Sequence, residues 1–92
     1  MKLRELLDEL TGRLSRYRSD FANADDSEVI NGSIMIAATV DRLLESLKSN
    51  DLQQARLEVL TFSRQVSDAC FTHPGTLKDL SETVQKVRNT LK

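Results

Sequence analysis

Cys70 and His73 are the only cysteine and the only histidine in the chain. They stand three positions apart, close enough to meet across one helical turn. A thiol beside an imidazole is the beginning of nucleophilic catalysis, because the base can take the thiol proton and leave a thiolate to attack an acyl group. That chemistry also needs an acid to orient the base and donors to hold the oxyanion, and no motif for either is evident. A metal site would need further His, Cys or carboxylate ligands at workable spacing, and none is evident here. The residues read instead as structure. His73 precedes Pro74 in a turn, and Cys70 is a small apolar side chain beside a core stripe. Replacing Cys70 by Ser and His73 by Ala is expected to leave function intact. No cofactor and no metal ion is expected.

Two charged clusters are the remaining candidates. Asp20, Asp25, Asp26 and Glu28 lack the Asp-x-Asp-x-Asp-Gly spacing of a calcium loop. They read as helix caps, with contact to a basic partner as the sharper alternative. Lys2, Arg4, Arg13, Arg16 and Arg18 make the N-terminal segment basic. Arg13, Arg16 and Tyr17 can share a helical face. Arginine grips phosphates and carboxylates, and tyrosine is enriched at interfaces, so Arg13, Arg16, Tyr17 and Arg18 are the partner-binding candidates. A plainer reading is that Arg4–Asp8, Glu9–Arg13 and Arg16–Asp20, each four apart, lace a solvated helix. Lys78, Glu82 and Lys86 read as a solvated face in the same way. Asn31-Gly32-Ser33 matches a glycosylation sequon, which means little without a secretory signal. No Gly-rich phosphate loop, zinc motif or RNA-binding aromatic motif is present.

The elements that position these residues follow from apolar spacing. Leu3, Leu7, Leu10, Leu14, Tyr17 and Phe21 alternate steps of four and three, one stripe of a helix over 3–20, widened by Leu6. Gly12 inside it costs about 1 kcal/mol relative to alanine. Residues 22–26 form a loop, and Asp25, Asp26 or Ser27 can cap a second helix over 28–48. Its stripe is Val29, Ile36, Val40, Leu43 and Leu47, with Ile30, Ile34, Ala37 and Leu44 beside it. Asn31-Gly32 is a hairpin signal that competes with this helix over 29–35. Strict alternation is missing there and a lone hairpin is marginally stable, so helix is preferred, with any break falling at 31–33.

Ser49-Asn50-Asp51 is a short polar break. A third helix over 52–71 follows, with Leu52, Ala55, Val59, Phe62, Val66 and Ala69 on one stripe and Leu60 and Cys70 beside it. His73-Pro74-Gly75 stops it, since proline lacks an N–H and restricts its predecessor. Thr76 is a candidate N-cap, with Asp79 three positions later as a weaker version of the capping box. A fourth helix over 77–91 carries Leu77, Leu80, Val84, Val87 and Leu91.

The chain is therefore expected to be all-α, an antiparallel bundle of about four amphipathic helices forming one domain over 1–92. Ninety-two residues suit one modest core. A composition of 39% hydrophobic and 29% charged residues is that of a globular chain. The expected core is Leu7, Leu10, Leu14, Val40, Leu44, Leu47, Val59, Phe62, Val66, Leu80, Val84 and Val87. A formal charge of −1 gives no general argument for nucleic acid or an anionic membrane. One cysteine excludes an internal disulfide. No apolar run resembles a signal peptide or is long enough to span a bilayer, so a cytoplasmic location is the default.

The function expected on these grounds is non-enzymatic: a protein–protein interaction module, a small regulator, adaptor or inhibitor that occludes a larger macromolecular assembly. Small phage-encoded or bacterial inhibitors share this size, which is an analogy of size alone. The alternative is a nucleic-acid-binding helical domain using the basic side of the first helix. Met35, Leu60 and Phe71 fall outside a four-helix core, and a homodimer would bury them.

Overall fold

Short polar residues decide where the helices start and stop. The computed structural model describes residues 3–23, 25–68 and 76–91, and places them in four helices. These are α1 (Leu3–Phe21), α2 (Ser27–Lys48), α3 (Leu52–Asp68) and α4 (Thr76–Thr90). Asp26 caps α2, its carboxylate accepting from the Glu28 N–H at 2.9 Å. At the other end of α2, Asn50 adopts a left-handed φ of 59°. The Asp51 N–H then reaches the Ser46 carbonyl (2.8 Å) and the Asn50 N–H the Leu47 carbonyl (3.2 Å). This is the paired-bond ending that satisfies orphan carbonyls. Asp51 immediately starts α3, its carboxylate accepting from the Gln54 N–H at 3.2 Å. One residue thus closes one helix and opens the next, which makes the turn between them tight.

Asn31 and Gly32 sit inside α2, and no break or hairpin forms. The apolar face made by Ile36, Ala37, Val40, Leu43, Leu44 and Leu47 is buried along its length, and tertiary burial overrides the local turn preference. Ser33 adapts by donating its hydroxyl back to the Ile30 carbonyl at 2.7 Å. Gly12 is likewise carried through α1 on its exposed side.

The four helices pack in the spatial order α4–α1–α2–α3, while α3 and α4 barely touch. Within the outer pairs the helices run in opposite directions. Along α1 and α4, Glu9 meets Lys86, Arg13 meets Asp79 and Asp20 meets Thr76. Along α2 and α3, Thr39 meets Gln65 and Arg42 meets Glu58. The core joins Leu6, Leu10, Leu14, Tyr17 and Phe21 to Ile36, Val40, Leu43, Val59, Phe62, Leu80, Val84 and Val87. Two expected core residues, Leu7 and Val66, are only half-buried. The first is displaced by Leu6. A helix of 3.6 residues per turn drifts against a strict 3.5 repeat, so the stripe shifts by one position at the start of α1. Val66 is half-buried because α4 packs on α1 rather than on α3. The expected helical positions 69–71 and the turn at 73–75, with Cys70, Phe71 and His73, lie outside the described residues.

Candidate functional site

The basic side of α1 does not form the single face that its spacing suggests. Tyr17 lies on the stripe of Leu10, Leu14 and Phe21 and is completely buried. Its ring packs on Phe21 at 4.6 Å with a 46° tilt. Among the described residues its hydroxyl has no hydrogen-bond partner. Burial pushes the phenol up to about 12. In this fold Tyr17 is core, and Arg13 and Arg16 do not share an exposed face with it. Arg13 turns to α4, its Nη1 3.2 Å from Asp79 Oδ2. Arg18 pairs with Asp41 of α2. Arg16 is exposed and makes no ion pair among the described residues.

The acidic partners also turn away from their own helix. Glu9 accepts from Lys86 at 3.3 Å and from the Thr83 hydroxyl at 3.4 Å. Thr76, the expected N-cap, is the first helical residue, and its hydroxyl donates to the Asp20 carboxylate. Asp79 accepts from Arg13. The charges of α1 therefore stitch it to α2 and α4 instead of lacing its own surface. Lys86 belongs to this stitching too, so the face of α4 that carries it is only partly solvated.

A second polar cluster joins α2 to α3. Glu58 is buried, and both its carboxylate oxygens lie near Arg42 Nε, at 3.1 and 3.3 Å. Gln54 Nε2 donates to the same carboxylate at 2.8 Å. The Thr39 hydroxyl donates to Gln65 Oε1 (2.7 Å) and accepts from Arg42 Nη2 (3.0 Å). Every buried polar group named here has a partner, so the cluster fixes the register of the two helices. It is structural in character, because the groups satisfy one another and leave none directed at a ligand.

The open side of the bundle lies between α3 and α4. A shallow hollow of about 250 Å³ is lined by Val59, Leu60 and Leu91, with Arg56 and Arg88 at its walls. Arg56 holds the end of α4 by donating from Nε (2.9 Å) and Nη2 (2.6 Å) to the Leu91 carbonyl. Arg88 and Arg64 are exposed and make no ion pair among the described residues. On the outer surface of α3, Leu57 and Leu60 are more than half exposed. Leu60 and Met35 are exposed as their spacing predicts. Leu57, Arg56, Arg64 and Arg88 were not singled out by sequence reasoning. The available signal was weak but present: from Leu52 to Arg64 the only acid is Glu58.

A smaller hollow of about 200 Å³, lined by Gly32, Met35, Ile36, Gln65 and Asp68, lies between α2 and α3. Among the described residues no group of three or more His, Cys, Asp or Glu side chains could hold a metal ion. No described helix is long and apolar enough to cross a membrane. No known family pattern, curated protein or solved structure matches the chain.

Proposed function

We propose that this chain is a non-enzymatic protein-binding module, a small regulator, adaptor or inhibitor that acts by covering a site on a larger macromolecular assembly. The observation that carries this reading is the open α3–α4 side, where exposed leucines and a hollow with an apolar floor are bordered by Arg56 and Arg88, with Arg64 one turn beyond Leu60 on α3. Single exposed leucines are ordinary on protein surfaces, but a concave apolar patch rimmed by polar groups is the anatomy of a binding site. Arginine beside an apolar floor is the composition of interface hot spots. The basic side of α1 is a weaker candidate. Arg13 and Arg18 are already paired within the molecule, and Tyr17 is not accessible.

Affinity purification of the full chain from its native cell tests the reading, with and without nuclease. Wild type, Leu60→Asp and the pair Arg13→Ala with Arg16→Ala are compared. A protein retained after nuclease by wild type and the α1 variant, and lost by Leu60→Asp, supports the proposal. Recovery of nucleic acid alone overturns it. Steep weakening of that binding by salt would then mark phosphate contacts and the nucleic-acid alternative.

A further inference from the structure

The large apolar side chains exposed among the described residues fall into two patches. Ile34 (61% exposed) and Met35 (58%) lie on the first half of α2, and Leu52 (36%), Leu57 (54%) and Leu60 (52%) on α3. The two patches differ in charge. Between Arg18 and Arg42 the sequence has no Lys or Arg and five acids. Asp20 and Asp41 are engaged by Thr76 and Arg18, which leaves Asp25, Asp26 and Glu28 exposed at the start of α2. Asp68 adds a further carboxylate across the hollow it shares with Met35. The α3 patch is the reverse. Arg56 and Arg88 line the hollow with Leu60, Arg64 lies one turn beyond Leu60 on α3, and the one acid from Leu52 to Arg64, Glu58, is buried and occupied by Arg42.

We propose that these patches are the two halves of a self-association surface. The acidic edge bearing Ile34 and Met35 of one copy seats on the basic face bearing Leu57 and Leu60 of a second copy. Leu57, Leu60, Arg64 and Asp68 recur at steps of three and four along the outer side of α3. Asp68 ends that row and lines a hollow together with Met35, so the Met35 edge adjoins the outer side of α3. An antiparallel, twofold pair brings Asp68 of one copy beside Arg56 of the other and makes the contact twice, the closed arrangement that homodimers prefer. Placing the basic face on its own copy would oppose Arg56, Arg64 and Arg88 to themselves, which like-charge repulsion disfavours. A phosphate backbone would satisfy the arginines but leave the leucines uncovered. The inference rests on reading the α3–α4 side as a protein-binding surface. A second copy and an external partner would compete for it.

Two exposed substitutions test the contact without disturbing the core. Leu60→Asp puts an acid on the basic face, and Met35→Arg puts a base on the acidic edge. Sedimentation of the full chain from micromolar to millimolar concentration should show a wild-type dimer that weakens with salt. Each variant alone should dissociate with a constant raised roughly tenfold or more. An equimolar mixture should dimerise again, because it forms one native contact and one charge-swapped contact. Helical circular dichroism of each variant confirms folding. A monomeric wild type, a variant that dimerises like wild type, or a mixture that stays monomeric overturns the proposal. The affinity purification above separates this from the broader reading. A monomeric wild type that still captures a protein through Leu60 removes self-association and leaves protein binding standing. A dimer that captures nothing does the opposite.

Discussion

α3 presents one flank to α2 and another to α4, and the two are finished differently. Toward α2 it buries Glu58 within a ring of donors from Arg42 and Gln54, and Thr39 and Gln65 close the same seam. Toward α4 it offers Val59 and Leu60, and among the described residues Arg56 bridges the gap by holding the Leu91 carbonyl at the end of α4. A satisfied polar seam selects one register, since any slip would leave buried charge without its partners. An apolar hollow with two arginines at its edge selects no register and can accept an outside surface. The contrast teaches that this small bundle fixes its geometry on one flank and leaves the other available.

The largest expected effect comes at a buried core residue of α3. Phe62→Asp would bury an unpaired charge, a cost comparable to the roughly 5–15 kcal/mol of stability that a domain possesses. Loss of the helical circular dichroism signal is expected, and Val40→Asp should behave alike. A folded Phe62→Asp variant would show that the core is looser than its burial implies. Next, Glu58→Ala should cost about 1.5–3 kcal/mol in chemical denaturation, the range for hydrogen bonds to a charged group. Arg42→Ala should cost at least as much, because it leaves the buried Glu58 carboxylate without its ionic partner, whereas water can solvate the half-exposed Arg42 that Glu58→Ala leaves behind. A double-mutant cycle that finds no coupling between the two would erase the distinction between the flanks. The smallest effect is expected for Leu60→Ser, which should change stability by no more than about 0.5 kcal/mol, as surface substitutions do. A loss comparable to that of Glu58→Ala would mean that the α3–α4 side is as closed as the other.

Much of the fold could be read from the chain because its determinants are local. Stripes with steps of three and four marked all four helices, and Asp26, Asn50 and Asp51 act at the breaks where capping chemistry places them. Asn31-Gly32 shows where local rules give way, since the buried face of α2 outweighs a two-residue turn preference. The exposure of Met35 and Leu60 was legible as an excess of apolar positions over one core. Their charged surroundings were not. Arg56 and Arg88 come together from different helices, and the pairing of Arg13 with Asp79 spans 66 positions. No spacing rule along one helix can foresee such contacts. Tyr17 failed as a surface candidate for a related reason. Arginine neighbours made it look like an interface residue, although it shares the stripe of Leu10 and Leu14.

The burial of Tyr17 also gives the molecule an optical reporter of its own. It is the only tyrosine, and the chain has no tryptophan. Absorbance and fluorescence in the tyrosine band therefore come from one ring at the centre of the core. In the unfolded chain that ring should lose its proton near pH 10.0, whereas the folded protein should hold it to about 12. Protons thus bind the folded state more tightly in this window. The stability this contributes is intact below pH 10 and falls as pH rises toward 12. An alkaline titration of phenolate absorbance should stay flat through pH 10 in the native protein and rise there in denaturant. A native titration that rises at pH 10 would place the hydroxyl in water.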